Sequence, residues 1–178
     1  LSGMIWTQSS RMRGVSKAAD SMPHFANPLY RFLAGKLSPS GVSARLSILI
    51  YHRVLPQTDP LFPGEATIDT FNAQMALLKS MFNILPLHEA AARLKAGTLP
   101  ARSACITFDD GYADNVTNAL PILQKHGLHA TFFIATSYLN GGRMFNDTVI
   151  ESVRCSNQET LDLRDMNLGN HRLSSNAE

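Results

Sequence analysis

The sequence predicts a parallel α/β fold, and three observations predict it. Short apolar runs at residues 46–51, 102–108 and 130–135 lack the alternation of a half-exposed strand, as expected for strands buried on both faces. Segments with helical spacing separate these runs, so the order reads strand, helix, strand, helix, strand. Glycine and proline punctuate the exits, and one strand exit carries two adjacent acids, Asp109 and Asp110, followed by Gly111.

Each element has its own signal. Residues 1–45 are weakly patterned and basic, and read as an N-terminal extension; the domain itself is expected over 46–178. Leu46-Ser47-Ile48-Leu49-Ile50-Tyr51 is the first strand, ending at His52-Arg53 before a loop with Pro56, Pro60, Pro63 and Gly64. Asp69 suits a helix cap, and Phe71, Met75, Leu78 and Phe82 share one helical face. Residues 83–87 make a brief second strand, and the Ala-rich stretch 88–96 a second helix that stops at Gly97.

Residues 102–108 are the third strand. Residues 113–126 form a helix with Val116, Leu120 and Leu123 on one face and Gly127 as its stop, and Pro121 should kink it or mark a first turn. A fourth strand at 130–135 and a short helix at 147–154 follow, and residues 161–163 alternate like a strand.

Composition excludes several classes. An apolar fraction of 44% and a charged fraction of 17% over 178 residues are those of an ordinary globular chain. The net charge of +2 comes from the first 45 residues, so no broad basic surface for nucleic acid is indicated. No apolar run approaches the roughly 20 residues of a membrane span, nor does the N-terminal stretch show a secretory apolar core. Localisation stays open. Cys105 and Cys155 make no metal or redox spacing, and Cys105 reads as a small core hydrophobe.

The acids are the informative feature. Consecutive side chains within a strand point to opposite faces, so two adjacent acids inside one could not serve a single site. At the carboxyl end of the strand, with Gly111 freeing the backbone, both can turn toward the crevice where parallel α/β folds do chemistry.

Ile106-Thr107-Phe108-Asp109-Asp110-Gly111-Tyr112 resembles the first motif of the polysaccharide deacetylases, the NodB-homology family of carbohydrate esterases. Ile50-Tyr51-His52-Arg53-Val54 resembles the opening strand of one branch of that family. Residues 71–82 resemble its first helix, and residues 118–133 the helix and strand after the motif. The likeness covers roughly residues 46–150.

The resemblance implies a distorted (β/α) barrel, present here as about four strands, that removes acetyl groups from the N-acetylated sugars of a polysaccharide. It implies Asp109 as general base and Asp110 as ligand of a divalent metal, usually zinc. Two histidines from an H-[ST]-x-x-H motif would complete that metal site. His52 and Tyr112, which flank the same strand ends, are candidates for substrate contact.

The chemistry is coherent. An amide is a poor electrophile with a poor leaving group, so water must be activated and the carbonyl polarised; a metal does both. A carboxylate takes the proton from water, and an acid must later protonate the amine.

The sequence departs from the family: its later motifs, which supply the acid and the acetyl pocket, are not seen, nor is its histidine motif. None of His24, His52, His88, His126, His129 and His171 begins an H-[ST]-x-x-H pattern. One ligand of three is present, so the expectation is that this stretch is an incomplete and inactive part of a longer enzyme. Two other classes compete with it. A non-catalytic or vestigial carbohydrate-binding domain would explain the missing histidines. A Mg²⁺-dependent phosphate enzyme ranks last, because the spacing of Asp109, Asp110 and Asp114 fits neither common acidic-pair motif.

Overall fold

The computed structural model describes residues 4–8 and 28–173. The chain runs β1 (Met4–Gln8), α1 (Pro28–Leu37), β2 (Leu46–Tyr51), β3 (Val54–Leu55), β4 (Ala66–Thr67), α2 (Ile68–Met81), β5 (Asn83–Ile84), α3 (Leu87–Lys95) and β6 (Ser103–Phe108). A π-helical turn at Asn115–Ala119 leads into α4 (Leu120–His126), followed by β7 (Thr131–Phe132), α5 (Phe145–Arg154), β8 (Thr160–Asp162) and β9 (Asn170–Arg172).

The contacts divide the chain into two units. The larger spans residues up to Thr58 together with Gly64–Ile134, and it holds the acid motif. Its sheet is parallel throughout, in the order β1-β2-β6-β5, with β7 also pairing to β6. β2 and β6 pair over their whole length, from Leu46 opposite Ser103 to Tyr51 opposite Phe108. β5 takes the start of β6, at Ser103 and Ala104, and β7 takes its end, at Thr107 and Phe108. Among the described residues this sheet is open.

β6 lies at the centre, and its six residues are all buried, as a strand flanked on both sides and covered on both faces should be. Two apolar clusters cover those faces. One joins Ile106 and Phe108 to Phe71, Met75 and Leu78 of α2 and to Ile122 and Leu123 of α4. The other joins Cys105 to Leu46, Ile48, Ala90 and Leu99. The alternation of β6 residues between the clusters is the period-two rule at work. Burial pushes the Cys105 thiol up to about 11, so it stays protonated and inert as the sequence implied.

Several expectations need correction. α2 is capped by Thr67, not Asp69: Thr67 and Thr70 satisfy each other's backbone amides in a capping box, and Asp69 sits within the first turn. The predicted helix at 113–126 is split. Leu120 N–H donates to Asn115 O, five residues back, and a regular α-turn resumes with Pro121 in its first turn, where its missing N–H costs nothing. β7 covers two of the six residues predicted at 130–135. β1 and α1 fall inside residues 1–45, where the weak apolar pattern predicted no element.

The smaller unit comprises Asp59–Pro63 and the residues from Ala135 on. It contains α5 and an antiparallel pair, β8 with β9, in which Leu161 faces His171. Arg154 at the end of α5 bridges Asp59 at 2.6 Å and Glu151 at 3.1 Å. Met144 occupies the cap position of α5.

Candidate active site

The end of β6 is built to turn sharply. Asp109 N–H still donates to Tyr51 O at 2.9 Å, extending the β2–β6 ladder by one residue. Gly111 N–H then donates to Asp109 O at 2.9 Å, closing a three-residue γ-turn with Asp110 at its centre. Asp110 has φ +72°, the rarer hand of that turn and an uncommon conformation for a residue with a Cβ.

Gly111 follows with φ +74°, and a Cβ there would lie 3.0 Å from Ile134 Cγ2 and 3.3 Å from Ile134 Cα. Glycine is thus required twice over, by backbone angle and by space. The turn presents Asp109 and Asp110 half-exposed at the carboxyl edge of the sheet. Among the described residues, no hydrogen bond or ion pair engages either carboxylate.

Beneath the turn the strand ends rest on aromatic packing. Tyr51 and Phe108 stack with centroids 5.4 Å apart, Phe108 stacks on Phe132 at 5.0 Å, and Phe71 meets Tyr51 edge-on at 5.1 Å. The buried Tyr51 hydroxyl donates to Gln74 Oε1 at 2.9 Å, and burial raises its pKa far above the ordinary phenol value. Tyr51 is therefore a neutral structural group, and it makes a rigid floor.

The next residue of β2's exit is His52. Because Tyr51 and Phe108 are register partners, His52 and Asp109 leave neighbouring strands at the same level of the sheet. Asn115 Nδ2 donates to His52 O at 2.9 Å and fixes that exit. Asn115 Oδ1 is buried without a hydrogen-bond partner, a cost of about 1–3 kcal/mol of the kind retained at functional sites. Tyr112 lies under the Arg53 guanidinium, with the guanidinium carbon 4.6 Å from the ring centroid.

Arg53, Glu65, Asp114, Asn115 and Asn118 are site-flanking residues that the sequence reading did not single out. Arg53 Nε donates to Asp114 Oδ2 at 2.8 Å, and Arg53 N–H donates to Glu65 Oε2 at 3.1 Å. Burial raises the Glu65 carboxyl above its ordinary range, against the lowering effect of Arg53 and His52. The available signal was the polar run Asp114-Asn115 at the start of an otherwise apolar helix face.

The donor set for a metal is incomplete. Among the described residues there is no group of three or more His, Cys, Asp and Glu side chains placed to hold an ion. His126 is tied to Asn72 Oδ1 at 2.9 Å at the end of α4, and His171 to Leu168 O in the smaller unit. His24 lies outside the described residues. Asp110 stands as at most one ligand, so these residues do not fit a zinc site by themselves.

An acid pair on a γ-turn at the carboxyl edge of a parallel α/β sheet lies where such folds bind ligands. The profile of the polysaccharide deacetylase family matches residues 96–173 of this chain. YxkH of Bacillus subtilis (strain 168), which bears a polysaccharide deacetylase name, is 36% identical over 93 residues, covering 51% of this chain and 32% of that protein. The poly-β-1,6-N-acetyl-D-glucosamine N-deacetylase of Staphylococcus epidermidis (strain RP62A) is 28% identical over 139 residues, 70% of this chain and 48% of that protein.

The chain thus spans from about a third to about half the length of these relatives. Among solved structures, IcaB from Ammonifex degensii aligns with 27% identity and a TM-score of 0.43, over 55% of this chain and 39% of that one.

Proposed function

We propose that this chain is part of a hydrolase that removes acetyl groups from N-acetylhexosamine units of a polysaccharide. The observation that carries the reading is the Asp109–Gly111 turn, which spends backbone strain to present two carboxylates that no group among the described residues engages. The staphylococcal relative is named for a β-1,6-linked N-acetylglucosamine polymer, which supports a polymer of that class as substrate. The family's (β/α) barrel is the architecture in which the described parallel strands would form one arc.

The chemistry assigns roles by position. Asp109, the residue immediately after β6, is the base that takes a proton from the attacking water. The water oxygen bonds to the acetyl carbon, the C–N bond breaks, and the amine leaves with a proton, giving acetate and a free amino sugar. His52 leaves β2 at the same level of the sheet. Tyr112 and His52 are the proposed substrate contacts.

The divalent metal that the family implies would polarise the carbonyl and lower the pKa of water. Asp110 is its one candidate ligand here. The 178 residues alone are therefore proposed to be inactive and to bind zinc weakly.

The test is acetate release from an N-acetylglucosamine polymer by the complete gene product and by its Asp109→Asn form. A fall of about 10²–10⁴-fold is expected for a lost general base, and an undiminished rate would sink the proposal. One observation favours a second reading: the lack of a metal-holding group among the described residues suits a carbohydrate-binding domain without catalysis. Polymer binding by a complete gene product that releases no acetate would establish it.

A further inference from the structure

Residues 52–54 carry the chain from β2 into the short β3, and hydrogen bonds from outside the strands fasten every position. Asn115 Nδ2 donates to His52 O at 2.9 Å. Asp114 receives Arg53 Nε on Oδ2 at 2.8 Å and Val54 N–H on Oδ1 at 3.2 Å. Asn118 Nδ2 donates to Val54 O at 2.7 Å. All three anchoring side chains come from the segment immediately after the acid turn. Arg53 in return covers the ring of Tyr112, the residue that follows Gly111. The exit of β2 and the exit of β6 are tied into one body through Asp114 and Arg53.

A positive-φ residue at the centre of a γ-turn persists only where its surroundings over-determine it. On its inner side the turn is fixed by the Asp109–Tyr51 ladder bond and by Gly111 against Ile134. On its outer side the next fixed point is Tyr112 under the guanidinium. The Arg53–Asp114 pair is part-buried, with side chains 26% and 10% exposed, so solvent screens it less than a surface pair. Lysine could keep the charge, but it lacks the planar fork that lets one side chain both bond Asp114 and lie flat on Tyr112.

We propose that Arg53 and Asp114 are positioning residues for the Asp109–Asp110 pair. Their ion pair holds Tyr112, and through it the left-handed conformation at Asp110, while the Asp114 contact to Val54 keeps the His52 exit in line with the turn. This rests on the reading of Asp109 and Asp110 as the reacting carboxylates. In those terms the functional motif reaches beyond Asp109-Asp110-Gly111, forward to Tyr112, Asp114, Asn115 and Asn118, and across the sheet to His52-Arg53-Val54.

The measurement is the intraresidue HN–Hα cross-relaxation of Asp110, which is strong at positive φ. Arg102 at φ +55° and Asn167 at φ +58° serve as internal standards in the same 178-residue chain. In Asp114→Asn and in Arg53→Ala the Asp110 signal should fall by about half or more relative to those standards as the turn samples ordinary φ. The double variant should fall no further than the lower single, because either change opens the same clamp. Arg53→Lys should lie between Arg53→Ala and the unaltered chain.

An Asp110 signal unchanged in both single variants, or one that falls together with that of Arg102, overturns the proposal. In the second case the variants have loosened the whole sheet. The Asp109→Asn assay decides the reading beneath it, so failure of the clamp and failure of the deacetylase assignment give different results.

Discussion

The two ends of β6 pose the same backbone problem and solve it in opposite ways. At its start Arg102 has φ +55°, and just past its end Asp110 has φ +72°. Both are residues with a Cβ in left-handed conformations, each at a cost on the order of 1–3 kcal/mol. At the start every strained group has a structural partner. Arg102 N–H donates to Ser38 O, its carbonyl accepts from Asn83 N–H, and its Nη1 donates to Met81 O at 2.9 Å. There the strain is offset by bonds that join β6 to β5 and to the end of α2.

At the far end the Asp109 and Asp110 carboxylates have no protein partner among the described residues. The surroundings hold the backbone and leave the side chains to something else. Strain with its bonds returned to the fold marks a structural corner; strain that leaves charged groups open marks a site.

The comparison can be broken most directly at Asp110. On the proposed reading of Asp110 as a metal ligand, Asp110→Asn in the complete gene product should lower the rate of acetate release on the order of 10²-fold or more. It should shift folding stability by no more than about 0.5 kcal/mol, since no native bond is lost. A stability loss several times larger, found by denaturant unfolding, would make the far end structural too.

Gly111→Ala tests the turn itself. A methyl group at φ +74° with 3.0 Å to Ile134 should cost about 2–3 kcal/mol of stability, read from urea unfolding.

Smaller effects sharpen the other end. Arg102→Ala keeps the strained φ and loses the bond to Met81 O, for an expected loss of about 1 kcal/mol. Arg102→Gly loses the same bond but relieves the strain, so it should be about 1 kcal/mol more stable than Arg102→Ala. Equal stabilities of the two would show that Arg102 stores no strain.

The smallest effect is a pH dependence. The Glu65 carboxyl is raised chiefly by burial, so the folded chain holds its proton more tightly than the unfolded chain. Its contribution is full below the ordinary carboxylate pKa and is lost as pH rises through the folded value. Glu65→Gln, which keeps an oxygen for Arg53 N–H, should therefore be more stable than the parent chain at neutral pH. Its stability should also decline less across that window in thermal melts at stepped pH.

The limits of the sequence show at particular residues. The runs 46–51 and 102–108 were legible because a strand buried on both faces is mostly apolar, and that constraint is written locally. The split of the 113–126 helix was visible as Pro121, but whether proline kinks a helix or starts one depends on what precedes it in space. Thr67 displaced Asp69 as the cap because two threonines three apart satisfy both orphan amides, a reciprocal geometry that single-residue preferences do not weigh. Arg53 and Asp114 are 61 residues apart, and no local pattern joins them.

By itself the sequence determined the parallel α/β class, the strand that carries the acids, the necessity of Gly111 beside them, and the deacetylase family that the motif resembles. These follow from period, punctuation and residue type, which are properties of short stretches. Only the tertiary structure decided that Asp110 takes a left-handed turn, that His52 stands level with Asp109, and that Arg53 and Asp114 lock the two exits together. Those depend on which strands become neighbours and in what register, and register is fixed by the packing of the whole sheet.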